Sequence, residues 1–156
     1  MLRRMLICSL LLFACLLPAG AQSLLTPGEI NGYSRYTQHD EVVRFLSALS
    51  AHSRTLQVRE VGRTRPVEGF SAKSLLLCIL TAEGVSRPEQ LDRSKPTLFI
   101  TAAKHGSEQS AKEAALLILR DFAVGELKPL LERVNLLIMP MVNPWGNYFD
   151  RRVNEI

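Results

Sequence analysis

The chain has 156 residues, enough for one domain with a sizeable core, and 47% of them are apolar against 22% charged. Its formal charge of +4 falls towards balance when Arg3 and Arg4 are set aside, leaving 17 basic against 15 acidic residues. No basic stripe with interleaved aromatics is present, which excludes nucleic acid as a partner, and no repeat or low-complexity tract appears.

The N-terminus carries Arg3-Arg4, an apolar run from Met5 to Leu17, and the small residues Ala19-Gly20-Ala21. These are the three parts of a secretory signal, predicted over residues 1–21 with cleavage after Ala21. The apolar run falls short of the roughly 20 residues that span a bilayer, so no stable membrane insertion is expected after cleavage. The expected location is secreted or periplasmic; the alternative is a lipoprotein attached through Cys15, from Leu12-Phe13-Ala14-Cys15. Removal of Cys8 and Cys15 leaves Cys78 as the only cysteine, so the mature chain forms no internal disulfide. Cys78 sits within Leu75 to Leu80, a continuous apolar run, and reads as a buried thiol rather than a nucleophile.

Residues 22–35 form a leader rich in turn formers, and residues 36–156 are expected to form the domain proper. A helix is predicted from Thr37, as its N-cap, to about His52, with Val42, Val43, Phe45, Leu46 and Leu49 as its buried stripe. His39 and His52 fall on polar stretches of that helix and read as solvated. Leu56 to Val61 and Leu75 to Ala82 read as strands of an antiparallel hairpin, joined by a turn from Gly62 to Gly69. A polar loop, Glu83 to Ser94, precedes a third strand from Pro96 to Ala103, whose short apolar run reads as buried. Helical spacing then runs from Ser110 to Val124 and stops near Gly125. After a short connection, Arg133 to Met141 reads as a fourth strand, ended by Asn143-Pro144-Trp145-Gly146.

Strand, helix and strand between Pro96 and Met141 predict a right-handed βαβ unit with a parallel strand pair. The fold class is therefore α/β, with a mixed, partly parallel sheet and helices packed on its faces. Ligands of such sheets collect outside the carboxyl ends of the strands, where His105 and Asn143 both emerge.

Between the third strand and the second long helix lies Lys104-His105-Gly106-Ser107-Glu108. A histidine and a carboxylate three residues apart share a face of an opening helical turn, so both can point to one spot. Imidazole and carboxylate are good zinc ligands, and a catalytic zinc site takes three protein ligands plus one open position. By local context alone, the pair reads equally as a loop histidine and a carboxylate favoured by the helix dipole.

From about Tyr36 to Ile156 the chain resembles the N-terminal half of the zinc metallocarboxypeptidase family, of the carboxypeptidase A and B type. The resemblance rests on the opening helix, on Gly62-Arg63-Thr64 with Glu68-Gly69, on His105-Gly106-Ser107-Glu108, and on Pro140 to Gly146. It implies Zn2+ as cofactor, with His105 and Glu108 as its first two ligands. Arg152 matches the arginine that polarises the scissile carbonyl and stabilises the oxyanion, though the adjacent Arg151 fits that role too. Arg152 and Asn143 are the implied substrate contacts. The implied reaction is hydrolysis of C-terminal residues from a peptide or a peptidoglycan stem. Trp145 departs from the aspartate usual in the family's Asn-Pro-Asp-Gly turn.

No histidine follows His105 in the sequence. The family's third zinc ligand and general-base glutamate would lie beyond Ile156, so the expectation is a truncated member of the family. Two other readings stand beside it: a zinc hydrolase of the aspartoacylase or desuccinylase type, which export disfavours, and an inactive remnant acting at most as a binding domain.

Overall fold

The structure is a computed structural model that describes residues 24–153. The expected signal segment 1–21, with Cys8 and Cys15, lies outside the described residues, as do Asn154 to Ile156. Among the described residues no helix is long and apolar enough to cross a membrane.

Two helices precede the sheet. Helix α1 (Pro27–Ile30) is a single turn within the leader, and the sequence announces it only through a capping box. Thr26 Oγ1 accepts from Glu29 N at 3.3 Å while Glu29 Oε2 accepts from Thr26 N at 2.7 Å. Helix α2 (His39–His52) is the expected amphipathic helix, with Val42, Phe45, Leu46 and Leu49 buried. Val43 is exposed instead, because the i, i+3, i+4, i+7 series starts at Val42 and leaves its neighbour on the outer face. The N-cap is Gln38, not Thr37. Thr37 is drawn away from capping by Glu113, whose carboxylate accepts from both its backbone N and its hydroxyl at 2.7 Å.

His39 is not solvated. Its side chain is 12% exposed, with Nε2 2.8 Å from the Ser74 carbonyl oxygen and Nδ1 3.3 Å from Asp40 Oδ1. His52 does lie on the surface, bonded to the carbonyl of its own helix at Ala48.

Strands β1 (Leu56–Arg63) and β2 (Ser74–Leu80) form the expected antiparallel hairpin. Strand β3 (Thr97–Thr101), helix α3 (Ser110–Ala123) and strand β4 (Asn135–Met139) form the βαβ unit. Strands β3 and β4 pair in parallel, from Thr97 opposite Asn135 to Thr101 opposite Met139. Strand β2 pairs with the other edge of β4, antiparallel, which gives a four-stranded mixed sheet in the order β1-β2-β4-β3. Single 3-10 turns, Pro88–Gln90 and Lys128–Glu132, interrupt the two long connections.

The core lies between one face of the sheet and the pair α2 and α3. Cys78, Leu80, Leu136 and Ile138 meet Leu46, Leu49, Leu116 and Leu119 in one cluster. Each of these helix leucines is fully buried and contributes about 2 kcal/mol. Burial also pushes the Cys78 thiol pKa far up, which leaves it an inert core residue. Helix α3 ends as expected near Gly125, whose N–H reaches back to Arg120 and Asp121 carbonyls. A side chain at Gly125 would press on Asp121 Cα at 2.8 Å, so the glycine permits a close approach there.

Candidate metal centre

Both expected loops emerge at the same end of the sheet, and hydrogen bonds fasten them together. Pairing of the strands runs on past their ends: Ala102 N donates to Met139 O at 2.9 Å, and Val142 N to Ala102 O at 3.1 Å. Ala103 then takes φ +50°, a backbone conformation that non-glycine residues rarely adopt, and this turns the chain out of the sheet. Lys104 to Glu108 form a turn closed by Glu108 N donating to His105 O at 3.0 Å. Helix α3 starts only at Ser110, so the His-x-x-Glu pair stands on a turn before the helix and not within it.

The opposing loop is led by helix α4 (Pro144–Tyr148). Its N-cap Asn143 is buried: Oδ1 accepts from Gly146 N at 2.9 Å and Nδ2 donates to Lys104 O at 3.3 Å. Gly106 lies directly against Gly146, where an added Cβ would collide with the Gly146 and Asn147 backbone. Gly106 N also donates to Arg152 O at 3.3 Å, and Asn147 Nδ2 to Gly106 O at 3.4 Å. The missing side chain of Gly106 allows the loops to touch at backbone distance, and that of Gly146 leaves room for the Asn143 amide and Arg151 O.

Three expected site residues come together at this junction. His105 Nδ1 is 3.0 Å from Glu108 Oε1, and Arg152 donates from a terminal nitrogen to that same oxygen at 3.3 Å. All three are open to solvent, with side chains 32%, 57% and 66% exposed respectively. Asn143 stands just behind them, and a direct substrate contact would require its amide to leave Lys104 O. Arg151 also belongs to the junction through its backbone, donating to Gly146 O at 2.8 Å.

The donor pair is compatible with zinc. Bonds of 2.0 to 2.2 Å at a tetrahedral angle set two ligand atoms about 3.4 Å apart. The observed 3.0 Å needs only a small opening of the pair to reach that separation. Among the described residues no group of three His, Cys, Asp or Glu side chains gathers, so two protein donors are what the described residues present at this junction.

Several residues around the site were not legible as functional. Trp145, the departure from the family's turn, is buried in an aromatic group, its ring centroid 4.8 Å from that of Phe149. Phe70, from the loop between β1 and β2, joins that group beside Tyr148 at 5.5 Å. Gln109, Lys112 and Asn147 form a buried polar cluster behind the turn. A lysine in phase with Ala115, Leu116 and Leu119 on the apolar stripe of α3 was the one signal for it.

A family model described as zinc carboxypeptidase matches residues 35–155. Among solved structures, carboxypeptidase A from Helicoverpa armigera superposes with a TM-score of 0.64 at 21% identity, over 78% of this chain and 29% of that one. Bovine thrombin-activatable fibrinolysis inhibitor, solved with tick carboxypeptidase inhibitor, superposes with a TM-score of 0.59 at 17% identity, over 80% and 39%. A metallo-carboxypeptidase from Burkholderia cenocepacia gives 0.55 at 24% identity, over 75% and 30%. At these identities the likeness is one of fold, and this chain spans only about a third of the length of these structures. No curated protein matches the chain. The sheet order, the loop junction at its carboxyl end and the family match agree: the chain belongs to the zinc carboxypeptidase family.

Proposed function

We propose that the chain is the ligand-bearing N-terminal part of an exported zinc metallocarboxypeptidase, which releases C-terminal residues from peptides or peptidoglycan stems. The observation that carries this reading is the meeting of His105 Nδ1, Glu108 Oε1 and the Arg152 guanidinium within 3.0 to 3.3 Å at the end of β3. His105 and Glu108 would hold the metal through one nitrogen and one carboxylate. A zinc ion bound there would supply a Lewis acid able to polarise a carbonyl and acidify water. Arg152, swung from Glu108, offers a guanidinium to the carbonyl oxygen as negative charge develops on it. The third ligand and the general base are assigned to the part of such an enzyme that these 156 residues do not span.

Zinc stoichiometry tests the reading. Wild type should bind zinc that the double variant His105→Ala/Glu108→Ala does not, and equal stoichiometry in the two would sink it. The export component has its own check: the N-terminus of protein recovered from outside the cytoplasm should begin at Gln22. Recovery with residues 1–21 still attached would overturn it.

A further inference from the structure

Lys112 has no exposed surface, and it is a cation on the apolar face of α3. A buried charge costs several kcal/mol unless its bonding capacity is met, and an ammonium has three hydrogens to donate. Lys112 Nζ finds three oxygens: the Thr37 carbonyl, Gln109 Oε1 at 2.9 Å and Asn147 Oδ1 at 3.2 Å. The Glu113 carboxylate stands 3.6 Å away as counter-charge. Burial drives the Lys112 pKa down from its ordinary 10.5, and Glu113 opposes that shift.

The three acceptors belong to three separate parts of the fold: the entry to α2, the residue after Glu108, and α4. Two of them hold the metal turn. Gln109 adjoins Glu108 directly, and its amide donates to Asn147 O at 3.1 Å. Asn147 Nδ2 donates to Gln109 Oε1 and to Gly106 O, the carbonyl of the residue after His105. The turn from His105 to Glu108 is therefore gripped at both ends by a cluster whose centre is the Lys112 ammonium. Lys112 itself bonds to neither His105 nor Glu108.

We propose that Lys112 is a positioning residue for the metal pair: it locks Gln109 and Asn147, and these hold His105 and Glu108 in register to share one ion. The inference rests on the metal reading above, and the experiment separates the two. Co2+ absorption and Zn2+ affinity would be measured for the chain and for Lys112→Met, Asn147→Ala, Leu119→Ala and the His105→Ala/Glu108→Ala double variant, each checked for folding by circular dichroism. Groups that orient metal ligands typically account for 10- to 100-fold in affinity. Lys112→Met and Asn147→Ala should each lose roughly that much and alter the cobalt spectrum, while Leu119→Ala, destabilised in the core away from the cluster, keeps both. Should Lys112→Met not fold, Asn147→Ala decides alone, since it leaves the ammonium in place and removes the amide that links it to Gln109 and to Gly106 O. Retention of affinity and spectrum in these two variants overturns the positioning role, as does an equal loss in Leu119→Ala. If instead the double variant matches wild type, the metal reading itself has failed.

Discussion

Gly106 occupies a place in the turn from His105 to Glu108 where no side chain fits. Its Cα faces the backbone of Gly146 and Asn147, and the meeting of the two loops depends on that approach. Gly106→Ala should therefore cost about 3 kcal/mol by overpacking, read as a lower denaturant midpoint, and should also weaken zinc binding. A stability within about 0.5 kcal/mol of wild type would mean the loops part more easily than the packing indicates. Thr37, whose carbonyl accepts from Lys112 behind the site, presents a comparable case. Glu113 is buried and takes two bonds of 2.7 Å from Thr37, one of them from the hydroxyl. Thr37→Val removes that hydroxyl while keeping the shape, and should cost about 1 to 3 kcal/mol in chemical denaturation. A neutral result would show that the Thr37 backbone N–H and the Lys112 ammonium satisfy the carboxylate without the hydroxyl. The pairing is not legible in the sequence, where Thr37 has the form of a helix cap.

Among the elements, β3 stands apart. It pairs with β4 on one side only, and its other edge is open among the described residues. Leu98 and Phe99 are 51% and 56% exposed, on opposite faces of the strand, and Thr97-Leu98-Phe99-Ile100-Thr101 carries no charge. An open, uncharged, apolar edge is a template for pairing with another strand. The chain should self-associate as its concentration rises, and Phe99→Lys should suppress this in sedimentation velocity without lowering stability. Association unchanged by Phe99→Lys would place the contact elsewhere. The sequence identifies this segment as a buried strand from its continuous apolar run. That reading is right about the strand and wrong about its burial, because an apolar run records what a strand is suited to meet and not what is present. Helix α2 is the opposite case: its spacing alone locates the buried face, and only the phase of Val43 needed the structure.

At the scale of the molecule, surface ion pairs set the response to acid. The Arg35 guanidinium, in a two-pronged bond to Glu41, holds that carboxyl down at about 2, against an ordinary 4.5. Lys73 lowers Asp40, and Lys95 lowers Glu83, in the same sense. A depressed carboxylate pKa contributes stability that is fully present above the unfolded-state value and is lost as pH falls through the folded-state value. Stability should thus hold down to about pH 4.5 and fall between there and about pH 2, with a small amplitude because these pairs face solvent. Arg35→Gln should move the acid-unfolding midpoint upward, and a midpoint that stays in place would remove Glu41 from the account.

The order of the two long helices and the four strands, the parallel pair, and the coincidence of the two loops at one sheet end were determined by sequence, whereas the short helices α1 and α4 were not. Each depends on periodicity within a dozen or so residues, or on the general handedness of βαβ connections. The same local code carried the family motif His105 to Glu108. The tertiary structure alone decided what those residues touch. Thr37 and Glu113 lie 76 positions apart, and Arg152 and Glu108 lie 44 apart, so no local window contains both partners. Lys112 is the plainest instance. In sequence it is a misplaced charge on an apolar stripe, and only the convergence of α2, α3 and α4 around it supplies the three oxygens that let it stay buried.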